Sequence, residues 1–195
     1  LTVAHYYTPA GRCIQKPYRK GEPEEYALDF EKRLKHGELT NRDSIHFNDS
    51  LRYYTLREHR TVYGGGGIMP DVFVPLDTLQ YSNYHRKLAA KNIVINASLK
   101  YIDNERKSLK RKYGSFEQFE SSFEVSQQMI DGIVAEGEKQ GVKPKDDDEL
   151  KRTLKVLRIQ LKGLVARDLW DMNEYFRIVN ENSDIIKEGL KTLGL

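Results

Sequence analysis

The chain changes vocabulary at about Ser82, and that break constrains its fold more than any single motif. Eight of the 12 tyrosines, five of the six prolines and four of the five histidines lie before residue 84. Aromatic residues, prolines and glycines at that density favour strands and turns. After residue 84 leucine, isoleucine, lysine and glutamate dominate, as they do in surface helices with one apolar face. The two stretches obey different local preferences, so an α+β chain is expected: strands, turns and an insertion over residues 1–83, and an α-helical domain over residues 84–195. A length of 195 residues suits one ordinary domain or two small ones.

Composition narrows the function classes. The chain is 38% hydrophobic and 31% charged, polar but too rich in apolar residues for a disordered segment. No run approaches the ~18 apolar residues of a membrane helix, so membrane insertion by this segment is not expected, and no signal peptide is visible. Cys13 is the only cysteine, which leaves no internal disulfide and no thiol metal cluster. Residues 1–83 carry 11 basic and 11 acidic side chains, so the whole net charge of +3 falls in the helical half. That is too little to call for a nucleic-acid partner.

Leu1–Thr8 is β-branched and aromatic and runs into a Thr8-Pro9-Ala10-Gly11 turn, which predicts a strand. It opens without Met or lead-in, as a piece of a longer polypeptide would. Its unpaired edge predicts self-association through residues 1–15. Lys16–Gly21 reads as loop, and Glu24–His36, stopping at Gly37, as a short helix. Asn41–Ser50 is turn-rich, and Leu51–Tyr63 suits one or two half-exposed strands. After four glycines, Asp71–Val74 between Pro70 and Pro75 reads as a short edge strand.

From Tyr84 the spacing of Leu88, Ile95, Leu99 and Ile102 predicts one long helix with these residues inward. Ser115 is an N-cap candidate for a second, with Phe116, Phe119, Phe123, Ile130 and Ile133 buried. Asp146–Glu149 favours the positive end of a third, whose stripe Leu150, Leu154, Leu157, Leu161, Leu164 steps by 4-3-4-3. That stripe is either a core face or a subunit seam, and two heptads fall short of a coiled coil. Asp171–Asn180 and Ser183–Thr192 give two closing helices.

The familiar catalytic signatures are missing: no G-x-S-x-G, S-x-x-K, Walker A, G-x-G-x-x-G or H-E-x-x-H occurs. His5, His36, His46, His59 and His85 lack the spacing of a metal pair on one helix, so no metal is expected. Gly64–Gly67 leads to a further strand rather than a helix N-terminus, which argues for a bulged crossing over a phosphate cradle. Arg106–Lys112, with five basic residues in seven, reads as a solvated helix face.

Two segments nevertheless resemble the C-terminal processing (tail-specific) serine peptidases. The match lies in Tyr6, Tyr7, Thr8, Pro9, Gly11, Arg12, Ile14 and Gln15, and in Gly67, Ile68, Pro70, Asp71 and Val72. Residues 161–170 and 174–193 resemble the helical tail of long, Bacteroides-type members. In shorter members the two segments nearly touch, whereas here Lys16–Gly66 intervene as an insertion.

The resemblance implies the trailing strands of a peptidase domain followed by a helical C-terminal domain. It implies a parent serine endopeptidase with a Ser nucleophile and a Lys general base, acting on protein or peptide substrates in the cell envelope or periplasm. That dyad and the PDZ domain lie upstream of the matched segments in the family. No catalytic, cofactor-binding or metal residue is therefore assigned here, no cofactor is implied, and the chain alone is expected to be inert. The competing expectation is a helical interaction or oligomerisation module, with a homo-oligomer as one form.

Overall fold

The computed structural model describes residues 4–17, 21, 23–77 and 81–195. The chain divides into two compact units, residues 1–77 and 78–195. Helices dominate, and among the described residues one two-stranded antiparallel sheet accompanies them.

Proline and glycine punctuation keeps the elements of the first unit short. The helix expected over Glu24–His36 forms as two, α1 (Pro23–Ala27) and α2 (Asp29–Lys35), and Gly37 follows at φ +79°. Asn41 and Asn48 then cap two 3-10 turns, Arg42–Ser44 and Asp49–Leu51, by accepting from the Asp43 and Ser50 amides at 3.0 Å each. β1 (Arg52–Tyr54) pairs with β2 (Thr61–Tyr63) in the register Arg52↔Tyr63, Tyr53↔Val62 and Tyr54↔Thr61. Phe47 stacks on Tyr63 at 4.3 Å.

Two expected strands are not found. Of Leu1–Thr8, residues 1–3 lie outside the described residues, and residues 4–6 are irregular. Among the described residues one antiparallel bridge, Tyr7↔Cys13, closes the Thr8–Gly11 turn, in which the Gly11 amide donates to the Thr8 carbonyl at 2.8 Å. A strand requires a neighbour that continues the ladder, and one bridge does not supply it. Tyr6 and Tyr7 stay 80% and 63% exposed. Asp71–Val74 also makes no ladder. Pro70 and Pro75 remove donors at both ends, and Arg60 Nη1 holds Asp71 at 2.8 Å.

The second unit runs α3 (Asn83–Ala90), α4 (Ile93–Lys112), α5 (Phe116–Ser122), α6 (Gln127–Lys139), α7 (Asp147–Leu169), α8 (Met172–Asn180) and α9 (Asp184–Thr192). Side chains cap most of their starts. Ser82, Ser115, Ser126 and Asp146 accept from the amides of His85, Gln118, Met129 and Glu149. Helix α7 is the central element and packs on α3, α4, α6 and α8. Along its stripe Leu157 and Leu161 are fully buried and Leu164 nearly so, while Leu150 and Leu154 are half-buried. The stripe is core. Gly163 lets α8 close in, because a Cβ there would lie 3.0 Å from the Tyr175 ring.

The helix expected from Tyr84 is broken at Asn92, whose φ is +57°. The break re-phases the pattern, so α4 buries Val94, Ser98 and Ile102. Ile95 and Leu99, expected inward, remain 41% and 42% exposed. The element expected from Ser115 also divides, into α5 and α6, with Phe123 and Val125 buried between them. No described helix is long and apolar enough to cross a membrane.

Candidate functional site

In the first unit the two segments flanking Lys16–Gly66 lie against each other. The Gly65 amide donates to the Cys13 carbonyl at 3.1 Å, and the Gly67 amide to the Ile14 carbonyl at 2.8 Å. Arg12 Nη1 donates to the Tyr63 carbonyl at 3.2 Å. The glycines are what permit this approach. A Cβ on Gly64 would sit 3.2 Å from the Cys13 carbonyl oxygen, and Gly65 and Gly67 have φ of +80° and +94°.

A cleft of about 550 Å³ opens beside this junction, lined by Lys16, Arg33, Glu38, His46 and Gly64–Gly67. It makes a poor phosphate cradle for two reasons. The amides of Gly64, Gly65 and Gly67 already donate to backbone carbonyls. Its cations are neutralised as well, Lys16 by Asp29 and Arg33 Nε by Glu38 at 3.0 Å.

In the second unit a groove of about 550 Å³ runs between α4 and α6. Asn96, Lys100 and Asn104 line one wall, Gln128, Met129 and Gly132 the other. Tyr101 is half-buried in it, and burial, then Glu105, raises its phenol above the ordinary value, so the hydroxyl is a donor.

A buried polar network ties α3 to α7. Ser82 Oγ lies 2.7 Å from Thr153 Oγ1, and Thr153 donates to the Glu149 carbonyl at 2.7 Å. Glu149 accepts from the Tyr84 amide at 3.1 Å and the Lys145 amide at 2.6 Å. Ser82, His85 and Glu149 sit close in this network, yet they form no nucleophile–base pair: His85 Nε2 faces Gln160 Oε1 at 2.8 Å, and Ser82 Oγ accepts from the His85 backbone. Sequence reasoning read Glu149 only as a charge at a helix start. The D-x-x-E spacing of Asp146 and Glu149 is the capping signal that could have placed it.

The Lys145 amide, and after it the Tyr84 amide, hold the Glu149 carboxyl below the usual carboxylate range, against the opposing effect of burial. A depressed folded-state value stabilises the fold above the unfolded value, and that stabilisation is lost as pH falls through the folded one. The melting temperature of the second unit should therefore drop on acidification through the carboxylate range. Glu149→Gln, which leaves one amide without its acceptor, should cost roughly 1–3 kcal/mol at neutral pH. The gap between variant and parent should close in acid. Parallel acid profiles in thermal melts would reject this role.

The remaining candidates are accounted for by surface or packing. His5, His36, His46 and His59 are exposed, and His85 is buried against Gln160. No three His, Cys, Asp or Glu residues among those described are arranged to hold a metal. In Arg106–Lys112 only Leu109 is buried. Arg106 donates to the Asp168 carbonyl, and Lys110, Arg111 and Lys112 complete the negative end of α4. Cys13 is a free, half-buried thiol.

Residues 84–171, the span from α3 to the start of α8, match the profile of a family of unknown function (DUF8443). No curated protein and no solved structure matches the chain.

Proposed function

We propose that this chain is the C-terminal portion of a C-terminal processing serine endopeptidase, with the nucleophile and base upstream of it and the helical unit as a non-catalytic interaction module. The observation that carries the reading is the junction in the first unit. The segments that resemble the peptidase family, residues 6–15 and 67–72, are far apart in sequence but joined by the Ile14–Gly67 hydrogen bond, with the Cys13–Gly65 bond beside it. Residues 16–66 leave and return at one place, as an insertion into a compact pair of segments would. The helical module is favoured by its own core and by the open α4–α6 groove. The envelope or periplasm as its compartment, and protein or peptide substrates, belong to the same reading.

The test compares the 195-residue chain with the parent polypeptide that carries the residues before Leu1. Both are incubated with an unfolded protein and with a fluorophosphonate probe. The parent should cleave the protein and label on one upstream serine, and the 195-residue chain should do neither. Stoichiometric labelling of a serine within residues 1–195, or a parent that neither cleaves nor labels, would overturn the proposal.

A further inference from the structure

The first unit has secondary structure but no core. Every buried residue falls between Ser82 and Ile178, and among the described residues 4–77 not one is buried. A unit of this length ordinarily hides about 60% of the surface that its unfolded chain exposes. It needs that burial to offset ~1–2 kcal/mol of backbone entropy for each ordered residue. The apolar side chains are present but uncovered: Phe30, Leu56 and Ile68 are 63%, 67% and 64% exposed.

The unused backbone groups collect at one edge. Cys13 stands between Gly65, whose amide its carbonyl accepts, and Tyr7, its bridge partner. The Thr8 amide donates to the Arg12 carbonyl at 2.9 Å, which turns the Tyr7 amide and carbonyl away from Cys13. Among the described residues neither group of Tyr7 has a partner. Beside this edge Arg12 Nε is buried with no acceptor, and no carboxylate pairs with the guanidinium.

We infer that the first unit gains its order from the polypeptide that precedes Leu1 in the parent, which lays an extended strand along the Tyr7 edge and covers the apolar surface beside it. An outward amide and carbonyl on one residue of an extended segment are the pair that a neighbouring strand meets, ~4.8 Å away. The exposed apolar residues of the two joined segments, Tyr6, Tyr7, Ile14, Ile68 and Val72, flank that junction. A second copy of the chain fits less well. A standard interface hides about 800 Å² on each partner, whereas the shortfall here is a whole core, and a second copy brings the same shortfall. A free peptide would meet Tyr7 and leave Phe30 and Leu56 bare. The inference rests on reading the chain as the C-terminal portion of a longer enzyme, and it needs no catalytic activity.

The test is hydrogen–deuterium exchange read by mass spectrometry on the 195-residue chain, at two concentrations, and on the parent. In the 195-residue chain, peptides from residues 4–77 should exchange near the rate of an unfolded chain while those from α7 stay protected. In the parent, peptides covering residues 4–15 and 61–67 should slow by about a hundredfold or more, as amides do when local opening becomes costly. Tyr7→Pro removes a donor that the 195-residue chain does not use, and in the parent it should return these peptides to fast exchange with α7 unchanged. Protection of residues 4–77 in the 195-residue chain equal to that of α7 would overturn the inference. So would fast exchange of these peptides in the parent, or a parent indifferent to Tyr7→Pro. Protection that rises with the concentration of the 195-residue chain would assign the cover to a second copy and overturn it as well. A parent protected here that neither cleaves nor labels would count against the peptidase reading alone. A parent that cleaves but leaves these peptides in fast exchange would count against this inference alone.

Discussion

Leu157→Asp is expected to unfold the helical unit. The side chain has 0% exposure at the centre of α7, the helix on which α3, α4, α6 and α8 pack. Leu157 belongs to the apolar core cluster, where an aspartate would be stripped of water. An uncompensated buried carboxylate costs roughly 3–5 kcal/mol, comparable to breaking a buried ion pair. Domains of this size are held by only ~5–15 kcal/mol, so the variant should lose most or all of its margin. Circular dichroism should show lost helicity or a melting temperature lowered by many degrees. A subunit seam predicts another result, intact helices and a smaller sedimenting mass. Wild-type melting together with wild-type mass would place Leu157 on the surface and contradict the packing.

The second large effect is expected at Phe119, which is also at 0% exposure. Its ring stacks on Phe123 at 4.4 Å and meets Tyr113 and Trp170 edge-on at 5.4 and 5.3 Å. Phe119→Ala removes the centre of this cluster and should cost about 3–5 kcal/mol, lost transfer energy plus the cavity left behind. Trp170 is the only tryptophan in the chain, so its fluorescence reports on this site directly. The folded variant should emit at longer wavelength than the parent, because water reaches the indole. An unchanged spectrum with an unchanged melting temperature would mean that the Phe119–Trp170 contact is not as described.

The helical unit was readable wherever a helix start coincided with a hydrophobic period. Ser115 and Asp146 cap as expected, and Phe116, Phe119, Phe123, Ile130 and Ile133 are buried as expected. The stripe from Leu157 to Leu164 faces the core because a 4-3 spacing keeps one face of a helix inward. Ile95 and Leu99 were misread. Their spacing fits one helix running on from Leu88, but Asn92 enters the left-handed region and α4 begins with a new phase. Nothing local marks that turn, since asparagine tolerates this conformation without requiring it.

What the sequence determined by itself is local: the compositional break near Ser82, the caps, the turn at Thr8–Gly11 and the apolar faces of α5, α6 and α7. These depend on propensity, on side-chain-to-backbone hydrogen bonds and on a 3.6-residue period, all set within a few residues. Tertiary structure decided everything that needs a distant partner. It withheld strands from residues 4–6 and 71–74, which have the right residues but no ladder to join. It made Glu149, a charge at a helix start, an acceptor for the distant Tyr84 amide. It also brought Cys13 and Ile14 against Gly65 and Gly67, which lie far along the chain from them. The reason is common to all three: a hydrogen bond between residues far apart in sequence leaves no period and no propensity for a local reading to detect.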